Sequence, residues 1–234
     1  MQRRELSPAV ASSLASIKTV VTIVTGLALT NTLLVLITGG HYSRVIPISE
    51  LSLVEIAFAT VLIANIVRFY HGNVRHIDVT YGDESYAHAA SGRHVEPRGG
   101  LGIDFFVVFG QSLMFSVASF YIGDSAAFLD VFVALLALDV LWAVYLRRDS
   151  DAVSSGWLWL LNDIGALIAL VILLSVHRSL PDQAWPLDAG LGVVALTTAI
   201  DFALSWEFYF PRTVEGRVAG GATAATAHGL RLRR

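Results

Sequence analysis

Long apolar runs separated by short polar stretches dominate the 234-residue chain. A helix needs about 20 consecutive apolar residues to cross the hydrocarbon core of a bilayer. Six stretches meet that length, over residues 18–38, 51–70, 102–122, 126–146, 157–176 and 189–210. The runs are continuous, whereas outer-membrane strands alternate over about ten residues. They predict helices, which satisfy their own backbone groups in lipid. The first run is about 21 residues long and no A-x-A site follows it, so it reads as a span and not as a cleaved signal peptide. The predicted fold is all-α: a polytopic integral membrane bundle of six transmembrane helices.

Composition sharpens this reading. Hydrophobic residues make up 55% and charged residues 15%, and the mean hydropathy is +0.63. A soluble globular domain is about 25% charged, so the chain lacks the charge to coat a globule. An ordinary soluble enzyme, a disordered chain and a coiled coil are excluded. A net charge of −3 offers no bulk basicity for nucleic acid. The chain has no cysteine, which removes disulfides, thiolate metal sites and a cysteine nucleophile.

The basic residues orient the spans. Of the 16 Lys and Arg, all but Arg44 and Arg178 fall on one side of a six-span layout, and positive residues mark the cytoplasmic side. The expectation is a multi-pass protein of the cell inner (plasma) membrane with both termini cytoplasmic. Trp157, Trp159, Trp185, Trp206, Tyr70, Tyr145 and Tyr209 fall near span ends, as an interfacial aromatic belt does. The chain divides into a cytoplasmic lead over residues 1–13, a transmembrane domain over 14–211 with a polar cytoplasmic loop at 71–101, and a basic, disordered tail over 212–234. The spans pair as three helical hairpins. Each returning span carries one polar residue, Asn65, Asp139 or Asp201, with Tyr70, Tyr145 or Tyr209 a turn or two later, which hints at a parallel threefold repeat.

Ionisable residues inside spans carry the chemistry, because each costs about 2.5–3.5 kcal/mol at the membrane centre. Lys18, Asp104, Glu50, Asp124 and Asp188 lie at span ends, where water is expected to reach them. Asp139 lies roughly 10 Å from the cytoplasmic end of its span at 1.5 Å per residue, with Asp163 and Asp201 at comparable depth. Asn65 and Arg68 occupy the matching zone of the second span, Asn162 adjoins Asp163, and Gln111 and Asn31 lie nearer the middle. Three acids thus face one deep base. One reading is structural, with Arg68 paired to one aspartate and the others hydrogen-bonded or protonated. The other is an acidic vestibule for a proton or cation, since surplus negative charge in low dielectric requires a proton or a bound cation. Glu55 and Asp130 lie near the outer surface and are expected to snorkel into water.

Two further features have bland and functional readings. Ser13, Ser16, Thr19, Thr22 and Thr25 recur every third residue of the first span, followed by Thr30 and Thr32. Hydroxyls bonded to carbonyls one turn back explain them, and a pore-lining stripe is the alternative. The string Arg68-Phe-Tyr-His71-Gly-Asn73-Val-Arg75-His76-Ile-Asp78 ends the second span, with Gly72-Asn73 read as a helix cap. His71, Asn73, His76 and Asp78 then open the loop, as a gate or a docking point for a soluble partner. With His88 and His94 they match no zinc spacing, so no metal site is assigned.

No zincin, nucleophile-elbow, phosphate-loop or potassium-filter motif is present, nor a sixth-span lysine of the retinal-binding kind, and no cofactor is expected. The leading expectation is a channel or transporter passing a proton or monovalent cation through a bundle or homo-oligomer. Its site is Asp139, Asp163 and Asp201, tuned by Asn65 and Arg68. The alternative is a membrane sensor or effector that signals through the 71–101 loop to a soluble partner. A membrane enzyme acting on a lipid phosphate ranks third, since the acids form no metal-binding string.

Overall fold

The computed structural model describes residues 8–38, 52–81, 100–147 and 156–206. Every element among them is a helix: α1 (Pro8–Thr38), α2 (Leu53–Tyr81), α3 (Gly100–Phe120), α4 (Ser125–Arg147), α5 (Gly156–Ser179) and α6 (Trp185–Leu204). All six are long and apolar enough to cross a membrane. The chain therefore fits a multi-pass membrane protein. The outer loop at 39–50, the segment 82–99 with His88 and His94, Tyr209 and the tail from Arg212 lie outside the described residues.

Short connections form where turn chemistry allows. Between α3 and α4, the Asp124 amide donates to the Tyr121 carbonyl at 2.9 Å, and Asp124 Oδ1 accepts from the Ala127 amide at 3.1 Å. Asp124 thus satisfies an otherwise unpaired N–H of the first turn of α4. Between α5 and α6, the Gln183 amide donates to the Leu180 carbonyl at 3.1 Å. Pro186 follows in the first turn of α6, where its missing N–H costs nothing.

The helices α2, α3, α4, α5 and α6 touch in that order, and α6 returns to α2. Five helices thus close a circuit, and α1 lies against α2 and α3 outside it. Leu14, Val21, Ala28 and Val35 recur every seventh residue of α1 and are buried, with Thr25 and Thr32 between them. That seam has the seven-residue spacing of helices packed along their length. Inside the circuit, Phe58, Leu62, Ile66 and Phe69 form one buried face of α2. Five phenylalanines pack in a chain there, edge-on at every contact but the stacked Phe128–Phe132 pair. Phe58 meets Phe128 at 4.8 Å, Phe128 meets Phe132 at 4.9 Å, Phe132 meets Phe115 at 6.4 Å, and Phe115 meets Phe69 at 5.2 Å between centroids. This column fills the half of the bundle that holds the starts of α2 and α4 and the end of α3.

The second span departs from its expected length. Gly72-Asn73 does not cap it, and the loop expected from residue 71 does not begin there. The helix continues to Tyr81. Glycine in a helix interior costs about 1 kcal/mol, and long-range partners outweigh that cost. Asn73 is buried and donates to Gln111 of α3 at 2.9 Å. Ile77 is 1% exposed. Asp78 pairs with Lys18 of α1. His71, Asn73, His76 and Asp78 are therefore helix residues packed on the bundle.

Candidate functional site

The polar groups that the apolar pattern isolates come together at one depth. Arg68 of α2 is 2% exposed, Asp139 of α4 1%, Asp163 of α5 1% and Asp201 of α6 0%. The guanidinium forks between two helices. Its Nε donates to Asp201 Oδ2 at 2.7 Å, and its Nη2 donates to Asp163 at 3.0 Å and 3.3 Å. The planar guanidinium is pre-organised for such a two-sided grip, with donors fixed in one plane. Phe69, the next residue, lies beside it, with the guanidinium carbon 4.8 Å from its ring centroid. Ser205 donates weakly to Asp201 Oδ1 at 3.4 Å.

Asp139 joins from the other side. Gln111 of α3 donates to its Oδ1 at 2.8 Å, while Gln111 itself accepts from Asn73 of α2. The Asp139 carboxyl lies within hydrogen-bond reach of Asp163. Its Oδ2 is buried and receives no donor among the described residues. The result is one connected string across five helices: Asn73, Gln111, Asp139, Asp163, Arg68 and Asp201. The sequence places Asp139, Asp163, Asp201 and Arg68 at one depth, and the structure brings all four together. Asn65 is buried on the same face of α2 but donates back to the Val61 carbonyl at 2.9 Å. Asn162 turns away from its neighbour Asp163 and donates to the Thr197 carbonyl of α6 at 3.0 Å.

A second cluster lies nearer the helix ends. Asp104, expected to reach water, is instead 1% exposed. It accepts three hydrogen bonds: from Trp142 Nε1 at 2.9 Å, His76 Nε2 at 3.1 Å and the Tyr81 hydroxyl at 2.8 Å. The His76 ring stands edge-on to Trp142 at 4.9 Å. Burial, together with the Asp104 carboxylate beside it, pushes the Tyr81 hydroxyl well above the usual tyrosine range. The α2 extension supplies two of the three donors, so the longer helix and the buried carboxylate account for each other. One signal for this cluster does lie in the sequence. Asp104 and Gln111 are seven residues apart, two turns along one helix face, roughly 10 Å at 1.5 Å per residue.

The remaining polar residues are structural or peripheral. Lys18 pairs with Asp78, and does not reach the inner acids. Asp130 is exposed and pairs with Arg178 at 2.7 Å. Glu55 accepts from the Ser52 amide at 3.3 Å at the start of α2. The hydroxyls of Ser16, Thr19, Thr22, Thr30 and Thr32 each donate to the carbonyl four residues back. That satisfies them within α1 itself. Among the described residues, no group of three or more His, Cys, Asp or Glu is arranged to hold a metal ion. In comparisons with known proteins, the chain matches no family model, no curated protein and no solved structure.

Proposed function

We propose that this is a membrane protein that binds and passes a proton or small monovalent cation, with the Arg68–Asp163–Asp139–Asp201 cluster as its ion site. One observation carries the reading: three buried carboxyl groups are gathered around a single guanidinium, two paired with it and the third, Asp139, against Asp163. Charge removed from water must be paired or neutralised, and Arg68 neutralises only one of the three. A site with that imbalance has affinity for positive charge. In the proposed orientation both termini are cytoplasmic in the cell inner membrane, because 14 of the 16 basic residues, all but Arg44 and Arg178, then lie in the cytoplasmic half or beyond it. The cluster then lies on the cytoplasmic side of the phenylalanine column. Asn65, Asp139 and Asp201 occupy matching places on α2, α4 and α6, in keeping with a threefold hairpin repeat and, within or between copies, a pathway built on it.

The phenylalanine column occupies the other half of the bundle, where the buried polar groups are uncharged ones such as Thr32, Ser112 and Ser119. It favours a carrier that must rearrange to pass its ion over a standing open pore. The same column supports the second reading, a sensor with no flux of its own. There, a change of charge at the cluster would pass through Gln111 and Asn73 to the end of α2 and the segment that follows. A lipid-phosphate enzyme gains least, because both forks of Arg68 already hold carboxylates.

Proteoliposomes decide between these. Under an imposed proton or potassium gradient, the wild type is expected to conduct, and Asp139→Asn and Asp201→Asn are expected to fall to the background of empty vesicles. Unchanged flux in both variants removes the site. No wild-type flux under either gradient removes transport and leaves the sensor, in which case deletion within 82–99 is the change that abolishes activity in cells.

A further inference from the structure

The nature of the ion can be read from how the carboxyl groups are arranged. The inference rests on the ion-site reading above and narrows it. We infer that Asp139 is the proton-carrying group of the cluster, that its Oδ2–H donates to Asp163, and that the site's ligand is the proton and not a metal cation.

Three observations lead there. Asp163 accepts from the Arg68 Nη2 on both of its oxygens, and Asp201 accepts from the Arg68 Nε. Those two are ion-paired acceptors. Asp139 differs, since its Oδ1 accepts from Gln111 while its buried Oδ2 receives nothing. Yet it lies against another carboxyl group. Two carboxyl groups in hydrogen-bonding contact need a proton between them, because neither carboxylate oxygen can donate. Both oxygens of Asp163 already accept from Arg68, so the Asp139 oxygen that receives no donor is the one left to carry that proton. The groups facing Asp139 are Arg68 from α2, Gln111 from α3 and Asp163 from α5; on α6, which also packs on α4, Asp201 is engaged by Arg68. Lys18 of α1, outside the circuit, is engaged by Asp78.

The same arrangement disfavours a metal. A sodium or potassium ion needs several oxygens converging on one point. Here Asp163 and Asp201 face the guanidinium from different sides, so their oxygens do not converge on one point. A cation between Asp139 and Asp163 would also sit against the positive charge of Arg68. A proton needs only the two oxygens and no shell. When it leaves, the cluster goes from one net negative charge to two, and like charges face each other between α4 and α5.

Infrared spectroscopy of the reconstituted full-length protein tests this directly. The wild type is expected to show the carbonyl stretch of a buried protonated carboxylic acid, lost as pH rises and absent from Asp139→Asn. The carboxamide introduced by that substitution can still accept from Gln111 and donate to Asp163, so this variant is expected to fold. Gln111→Leu is the second variant. Removing the donor to Oδ1 shifts the band to higher wavenumber without abolishing it. The titration midpoint is expected to be the same in sodium, potassium and choline chloride. No band at any pH overturns the assignment, as does a band that persists in Asp139→Asn or ignores Gln111→Leu. A midpoint that shifts by a unit or more between sodium and choline overturns the preference for the proton. Flux is scored separately. A band lost in Asp139→Asn with no wild-type flux upholds the proton site and sinks transport, while flux without the band does the reverse.

Discussion

Arg68 shows how one residue can hold a bundle together. Its two hydrogen-bonded partners come from α5 and α6, over 90 residues away in sequence. Removing one member of a buried ion pair costs about 3–5 kcal/mol, because the partner charge is left uncompensated. Arg68→Ala is therefore expected to lower the thermal unfolding temperature in detergent far more than Asp139→Asn, and Arg68→Lys to fall between them. Equal effects for Arg68→Ala and Asp139→Asn would mean that the guanidinium is not the anchor. Tyr81 gives a prediction in pH. Its hydroxyl is held above the usual tyrosine range by burial and by Asp104. A group whose folded value is raised contributes fully below its unfolded value and loses that contribution as pH rises past it. The stability advantage of the wild type over Tyr81→Phe is thus expected to be constant up to about pH 10 and to shrink above it, where free tyrosine ionises. An advantage that grows above that pH would contradict the contact with Asp104.

At the scale of the element, the informative case is the last eleven residues of α2. Gly72-Asn73 carries the local signature of a helix end, and histidines with an arginine suit a helix C-terminus. Local chemistry alone therefore favours a stop at Tyr70. What extends the helix is not local. Asn73, His76 and Tyr81 each find a partner on α3, at least 23 residues away. The inner carboxylates were legible because an aspartate inside an apolar run is conspicuous whatever it touches. Asp104 was not, because a charge near a span end is ordinarily hydrated, and only the unseen length of α2 covers it. Amide exchange over residues 72–80 is expected to be as slow as in the body of α2. In Asp104→Ala it should speed up by about tenfold or more in that stretch and stay unchanged around Phe58. Rapid exchange there in the wild type would restore the loop. Close packing gives a second element-scale expectation. A Cβ at Gly190 of α6 would lie 2.6 Å from Leu129 Cδ1 and 3.6 Å from Leu170 Cδ2, both on fully buried side chains. Gly190→Ala is expected to destabilise by about 1–3 kcal/mol, as overpacking a filled core does, read as a lower unfolding midpoint.

At the scale of the whole molecule, span count and helix type were legible because hydropathy and span length follow from the bilayer itself. The circuit of α2 through α6, with α1 outside it, was not, since six apolar runs are compatible with many packings. The orientation has a direct test in a chain without cysteines. A cysteine at Gly123, on the turn between α3 and α4, is expected to react with a membrane-impermeant maleimide in intact cells. One at Ser91 is expected to react only after permeabilisation. The opposite pattern would invert the bundle.

The five packed phenylalanines also determine where a voltage would act. An electric potential falls mainly across the least polarisable part of its path, and a membrane potential is worth about 2.3 kcal/mol per elementary charge per 100 mV. Phe58, Phe128, Phe132 and Phe115 give one half of the bundle an apolar core, with Phe69 at its border with the charged string from Asn73 to Asp201. Most of the field then drops across the phenylalanines. If the cluster takes up protons from the polar side as proposed, a charge arriving at Asp139 crosses little of that field, and the occupancy of the cluster is expected to follow the acidity of that solution and to depend little on membrane voltage.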